Sequence, residues 1–544
     1  MRHCVALMVL STSLACAHAG NHLLAGQSGS EPRLVVTVVF DQLRADYLGR
    51  FGEQLLPPVQ ADGSYGGFQA LIQRGAYFPV AEHDVLMAMT GPGHASISTG
   101  AWPYRHGIAR NRWYEGDRRA YCVEDVNAPV IGLESSDPFD GRSPRNLRGP
   151  AFGDTLKGHD PRAKTVSVSI KDRAAILMGG HRSDGTYWMG DDGGWTSSRY
   201  YLKDGKRPEW LSQINAQRAG RSDQAFTFAY QSKSGRSDQG PTQFAVDVET
   251  GARDALSTPY ADTYTLDVVE GAIKAHELGQ DDVPDTLWVS FSGFDKLGHR
   301  TGPNTAPMEA MFLGADRAMS RLLNHLEQAI PGGLDRVLIS VTGDHGVGPA
   351  AEYAQTKGLP SIRQNHDQIF KRIDARMGSL FGRPGPGQSW FVGLEDLNLY
   401  INRRLAAVRA IPLRRLEAAA AELLTEEPGV LMAISRHQVL QGMVPPGRWG
   451  QQLKNQFVQG RSGDVIGIPA PFVLPDSTPA NHYTGYAYDR QVPLIISGPG
   501  IRRGRYHQVV NVIDLVPTLA AALGTIHPAM AEGRVLHEVL NAAD

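Results

Sequence analysis

Residues 34–41 read Leu-Val-Val-Thr-Val-Val-Phe-Asp. Seven apolar or β-branched residues in an unbroken run have the length of a strand, and the lack of polar alternation fits a strand buried on both faces. Strands of that kind lie in parallel sheets covered by helices. Four further runs share the signature: 165–170 (TVSVSI), 286–291 (TLWVSF), 336–341 (RVLISV) and 492–496 (VPLII). Helix-period stretches at 264–276, 308–329 and 413–424 stand between or beside them. This alternation predicts an α/β fold with a mostly parallel central sheet flanked by helices. Two stretches break the rhythm, about 190–250 and about 347–480, and are read as accessory regions inserted into that core.

Ligands of open parallel sheets bind beyond the carboxyl ends of the strands, so the residues after each run carry the functional argument. Asp41 follows the first. Ser-Gly-Phe-Asp295-Lys-Leu-Gly-His299 follows the run at 286–291. Thr-Gly-Asp344-His345-Gly follows the run at 336–341, and His482 precedes the run at 492–496. One Asp-His pair would be a helix cap beside a satisfied core histidine. Three such clusters at strand ends instead form a ligand inventory of carboxylate and imidazole, suited to Zn²⁺ or a similar divalent ion. Six ligands suggest two metals. Gly343 and Gly346 flank Asp344-His345 and are expected to permit an irregular turn.

A two-metal site calls for an anionic substrate oxygen and an activated nucleophile. In Met89-Thr90-Gly91-Pro92-Gly93-His94, Thr90 precedes an expected Gly-Pro-Gly turn into a helix. Its hydroxyl is either an ordinary cap or a nucleophile at a helix N-terminus, where anions are favoured. Lys171 and Arg173 directly follow the run at 165–170, and Asn111 lies in His106-Gly-Ile-Ala-Arg-Asn111. A guanidinium fork, an ammonium and an amide are suitable donors to a tetrahedral anion; alternatively they are a solvated charged turn and a turn amide.

Composition sets outer bounds. The chain has 544 residues, of which 42% are hydrophobic and 20% charged. That is ordinary for globular proteins and excludes a disordered chain, a collagen-like chain or a polytopic membrane protein. The 54 basic and 56 acidic residues leave a net charge of -2, so electrostatics argue against nucleic acid as a specific partner. Residues 1–19 have a polar start, an apolar stretch too short to span a bilayer, and Ala17-His18-Ala19. They read as a secretory signal peptide cut after Ala19, with lipidation of Cys16 the weaker option. No later segment is apolar enough to be transmembrane. The cysteines are Cys4, Cys16 and Cys122. A mature chain holding only Cys122 has no internal disulfide and no thiolate metal cluster.

Taken together, VVFDQLRADYL, TGPGHASISTGAWPYRHGIARN, SIKDRAAILMGGH, SFSGFDKLGHRTGP, TGDHGVGP and VPLIISGPGI resemble the alkaline phosphatase superfamily, and within it the PafA-like periplasmic phosphatases with a threonine nucleophile. The resemblance implies one catalytic domain over 34–544 carrying both insertions, after a linker at 20–33. It implies two Zn²⁺ per chain. Asp41, Asp344, His345 and the nucleophile Thr90 would hold one; Asp295, His299 and His482 would hold the other. Asn111, Lys171 and Arg173 would bind the phosphoryl group. The chain departs from the usual His-Gly step at His482-Tyr483-Thr484-Gly485, and His507 is the alternative in sequence. The implied activity is hydrolysis of small phosphate monoesters through a phosphothreonine intermediate, in the periplasm or outside the cell. Relatives specialised for diesters lack an equivalent Lys-x-Arg. The alternative is a phosphodiesterase or nucleotide pyrophosphatase on the same core.

Overall fold

The computed structural model describes residues 31–219, 227–230, 242–245 and 255–541. The expected signal peptide, most of the linker and part of the first insertion lie outside these residues.

The run at Leu34–Phe40 is a strand, β1, with every residue buried. Its side chains alternate between two cores. Leu34, Val36, Val38 and Phe40 enter one, and Val35 and Val39 enter the other. A strand that buries both faces has no polar face to show, which is why it reads as a continuous apolar run. The other strands of this sheet are β2 (Gly75–Glu82), β3 (Thr165–Ser169), β4 (Gly185–Met189), β5 (Trp195–Thr196), β6 (Asp285–Phe291), β7 (Val337–Gly343), β8 (Gln491–Ser497), β9 (Gly504–Arg505) and β10 (Val510–Asn511). The order is β9-β2-β8-β7-β1-β6-β3-β4-β5, with β10 paired to β2.

Register places the chemistry. β1 pairs in parallel with both β6 and β7, so Phe40 lies opposite Phe291 on one side and Gly343 on the other. The three strands therefore end at one level, and Asp41, the segment leading to Asp295, and Asp344 leave the sheet side by side.

The run at 492–496 is a strand as expected, but β8 is antiparallel to both β7 and β2. The insertion between β7 and β8 leaves and rejoins the sheet at the same edge, so the returning strand runs down rather than up. For that reason His482, which precedes its strand, still lies at the same edge of the sheet as Asp41 and Asp344. β2 carries no clear strand signal because Pro79 interrupts it. Its pairing with β8 skips register between Val492 and Leu494, where Pro493 and Pro79 each lack an N–H to give.

The helices flanking this sheet are α1 (Thr90–Thr99), α2 (Asp172–Gly179), α3 (Tyr260–Ala275), α4 (Gly293–Thr301) and α5 (Ala306–Ala329). α3 and α5 supply Val268, Ala272, Phe312 and Leu322 to the first core. Ile97 of α1 packs into the second with Leu515 and Leu519. Each such apolar side chain contributes on the order of 1.5–3 kcal/mol by burial. α6 (His366–Phe381) and α7 (Leu413–Thr425) belong to the second insertion. There they cover a separate four-stranded antiparallel sheet, of order 391–395, 398–401, 465–469, 430–435, over a core of its own that includes Ile373, Leu416, Leu424 and Val465. This layer is called the cap below. Among the described residues no helix is long and apolar enough to cross a membrane, and Cys122 is buried and free.

Candidate active site

Thr90 is the first residue of α1, one position past the N-cap Met89. The expected Gly-Pro-Gly turn does not precede the helix; it is the helix's first turn. Pro92 is tolerated there because first-turn N–H groups lack intrahelical acceptors. All ten residues of α1 are buried. Glycine permits this depth: a Cβ on Gly93 would meet the Asp344 carbonyl at 2.3 Å, and one on Gly91 the Asn111 amide at 2.9 Å. Thr90 Oγ1 lies 3.5 Å from both Lys171 Nζ and Arg173 Nη2.

Beside Thr90 stand the expected carboxylates and imidazoles, nearly all buried. His345 Nε2 is 3.4 Å from Asp41 Oδ1 and 3.4 Å from Asp344 Oδ2. His482 Nε2 and His299 Nε2 each lie 3.1 Å from Asp295 Oδ1. Two compact triads result, Asp41/Asp344/His345 and Asp295/His345/His482, each with ligand atoms within 4.8 Å of one another. His345 belongs to both, and its ring stacks on that of His482 at 3.5 Å. His299 reaches Asp295 from outside the second triad. His507 is exposed and far along the chain's return to the sheet edge.

These groups fit divalent ions. Asp41 Oδ1, Asp344 Oδ2 and His345 Nε2 are buried and make no hydrogen bond. Ligands on a tetrahedral ion at about 2.0–2.1 Å stand roughly 3.3 Å apart, close to the separations above. The remaining ring nitrogens are already held, as ligating histidines require: His345 Nδ1 on Gly346 O, His482 Nδ1 on Ala88 O and His299 Nδ1 on Ala480 O, at 2.9, 2.9 and 3.0 Å. The electrostatics agree. Burial opposes charge on His345, but the Asp344 and Asp41 carboxylates outweigh it and raise the imidazole to about 9. Burial and the facing His345 push His482 down to about 4. Burial also disfavours the charge on Asp295, yet Lys171 and His299 hold it well below the usual carboxylate range.

Several contributors lie outside the motif reading. Gln42 adopts φ 75, a rare conformation for a non-glycine residue. From there its backbone N–H donates to Asp344 Oδ1 at 3.0 Å and its amide to Asp295 Oδ1 at 2.9 Å, tying the two carboxylates together. Gly298 makes room for that amide, since a Cβ there would lie 1.7 Å from Gln42 Oε1. His94 contacts Asp344 Oδ2 at 3.2 Å. The glycines beside Asp344-His345 act by space rather than by conformation. Neither has a positive φ, but a Cβ on Gly346 would meet the Tyr488 carbonyl at 2.4 Å.

The anion-binding groups converge as well. Lys171 Nζ bridges Asp41 Oδ2 and Asp295 Oδ2 at 2.5 Å each. Arg173 Nη1 donates to Tyr121 Oη at 3.4 Å, and the same phenol bonds Asp172 at 2.5 Å. Asn111 Oδ1 accepts from the Gly91 N–H at 2.7 Å, which turns its Nδ2 end outward as a donor. A pocket of about 290 Å³ joins Asn111 and Arg173 to Glu395 and Asp396 of the cap. A larger cleft of about 840 Å³ opens on the other side of Lys171 and Arg173.

A mostly parallel α/β sheet with a threonine, two carboxylate–imidazole groups and a Lys-x-Arg at its carboxyl edge is the arrangement of the alkaline phosphatase superfamily. Within it, residues 35–483 match the type I phosphodiesterase / nucleotide pyrophosphatase family, and the chain belongs to that family. It is 28% identical to alkaline phosphatase PafA of Elizabethkingia meningoseptica, over 94% of each chain. It is likewise 28% identical to alkaline phosphatase PhoV of Synechococcus elongatus, over 99% of each. The crystal structure of PafA superposes with a TM-score of 0.82 at 27% identity, covering 94% of this chain and 99% of that one. A PafA variant in which a threonine, an asparagine, a lysine and an arginine are replaced gives 0.81 at 26% identity, with the same coverage.

Proposed function

We propose that this protein is a zinc-dependent phosphomonoesterase that releases inorganic phosphate through a phosphothreonine at Thr90. The observation that carries the reading is the Thr90 hydroxyl, at the first position of α1 and 3.5 Å from both Lys171 and Arg173. Its near full-length relatives are named alkaline phosphatases. The four residue types replaced in the PafA variant occur here as Thr90, Asn111, Lys171 and Arg173, in the same order and with the same Lys-x-Arg spacing.

Asp41, Asp344 and His345 would hold one ion, Asp295, His299 and His482 the other. Such ions supply Lewis acidity for a hydroxyl nucleophile and a departing oxygen. The chain's own groups do the rest. Thr90 Oγ1 forms a bond to phosphorus as the bond to the ester oxygen breaks, and the alcohol departs. Water then cleaves the phosphothreonine. Arg173 and Lys171 donate to the phosphoryl oxygens, and Asn111 Nδ2 donates from the opposite side. A monoester carries one more charged oxygen on the transferred group than a diester, so the Lys-x-Arg pair favours monoesters. Steady-state kcat/KM on p-nitrophenyl phosphate and on bis-p-nitrophenyl phosphate tests this with zinc-loaded enzyme. A strong monoester preference is expected. A diester preference would give the protein the phosphodiesterase activity in its family's name.

The reading includes an exported enzyme. Cleavage after Ala19 would release a mature chain into the periplasm or beyond, with one catalytic domain over 34–544 interrupted by the two insertions. N-terminal sequencing of the mature protein checks the site of cleavage.

A further inference from the structure

The larger cleft holds a cation that the chemistry above does not use. Lys296 lies on α4, one residue after Asp295, and lines the cleft together with Lys171, Arg173, Arg112 and Arg207. Thr90 and the candidate metal ligands do not line it. The cleft thus borders the phosphoryl-binding cations without Thr90, and the untransferred part of an ester lies on the side of the phosphoryl group away from the nucleophile.

The other charges in the cleft are largely accounted for. Lys171 is paired with Asp41 and Asp295. Arg142 and the Tyr121 hydroxyl hold Asp172, and Arg207 lies 3.7 Å from Asp192. Arg112 stacks on the Tyr121 ring at 4.7 Å. Asp140 and Asp191 also line the cleft. Among the described residues the Lys296 side chain makes no hydrogen bond and no ion pair, while its backbone N–H donates to Ser292 O. It is half-buried. A half-buried ammonium with no carboxylate bonded to it is costly unless a ligand supplies one.

We infer that Lys296 binds a second anionic group on the substrate's leaving portion, a carboxylate or a further phosphoryl group. The preferred substrates are then doubly acidic phosphomonoesters rather than esters of neutral alcohols. This inference rests on the phosphomonoesterase reading.

The test uses a matched pair, 2-phosphoglycerate and glycerol 2-phosphate, which differ by a carboxylate next to the ester carbon. The zinc-loaded enzyme should favour 2-phosphoglycerate. Lys296→Ala should lower kcat/KM for it by about tenfold, as one charge-assisted contact is removed, and leave glycerol 2-phosphate within about twofold. Lys296→Arg should keep most of the preference. Zinc content and melting temperature of both variants exclude damage through Asp295. Equal losses on the two substrates, or no preference in the parent enzyme, would overturn the inference while leaving the monoesterase reading intact. No turnover of either ester by the parent enzyme would remove both.

Discussion

The two walls of the phosphoryl site are built on different principles. On the sheet side, Asp41 and Asp344 are placed by backbone register, because β1 and β7 end opposite one another. On the cap side, the contact is made by side chains on a strained turn. Asp396 and Leu397 both have positive φ, 41 and 62. Beside them, Glu395 forms a double contact with Arg119 at 2.7 Å, and Asp396 pairs with the buried Arg110 at 2.5 Å. Arg110 immediately precedes Asn111. The sheet wall is therefore fixed by many cooperative hydrogen bonds, whereas the cap wall depends on a few ion pairs that single substitutions can change. Chemistry should fail abruptly when the first wall is altered, and substrate handling should shift gradually with the second.

The largest effect should come from the sheet wall. Thr90→Val keeps the shape and removes the hydroxyl. We expect kcat to fall by at least about 10³-fold with metal content unchanged. Measurable burst-phase phosphoenzyme in that variant would place the covalent step on a residue other than Thr90. Next is metal removal. Chelation should abolish turnover and lower the melting temperature, because the carboxylates around His345 lose their counter-charge. An ion present at about 1,000 times its Kd would otherwise add about 4 kcal/mol. A melting temperature insensitive to chelator would mean that the triads do not bind metal.

Arg173→Ala tests the junction between the walls. Loss of a charged donor to the phosphoryl group should cost about 10²-fold in kcat/KM on an aryl monoester and under about tenfold on a diester. A smaller effect is expected from Asp396→Ala, which strips Arg110 of its carboxylate. We expect about a tenfold loss in kcat/KM, and less than additive loss when combined with Asn111→Ala. Strict additivity would show that the cap does not act through Asn111, and the contrast between the walls would then be one of architecture alone.

The two walls also differ in how readily the sequence discloses them. β1, β6 and β7 are mostly apolar or β-branched because both faces are buried, so their ends, and the ligands at those ends, can be read directly. Thr90, Lys171 and Arg173 follow from the same reading, and the structure brings them within 3.5 Å. The direction of β8 is hidden, since a buried antiparallel strand has the same composition as a parallel one. β2 is hidden by Pro79. Gln42, Tyr121 and the Asp396 turn are hidden for another reason: their roles arise from long-range contacts, and no local pattern of residue types marks a glutamine with positive φ or an acidic turn 286 positions away from its arginine.

The smallest effect concerns a buried carboxylate away from the site, which isolates what the counter-charges do. Asp262 on α3 is fully buried, and neither oxygen makes a hydrogen bond. Burial alone pushes it up to about 8, whereas Asp295 is driven down beside Lys171. The sign follows from proton binding. Between about pH 4 and 8 the folded protein keeps this proton and the unfolded chain has lost it, so stability falls as pH rises, by on the order of 1 kcal/mol per pH unit. Asp262→Asn removes the titration without changing the shape. Its melting temperature should therefore exceed that of the parent by a margin that grows from pH 5 to pH 8, with kcat/KM unchanged. A margin independent of pH would mean that Asp262 is already ionised in the folded enzyme. Burial without a counter-charge would then not suffice to hold a carboxylate neutral in this core, and the contrast with Asp295 would lose its physical basis.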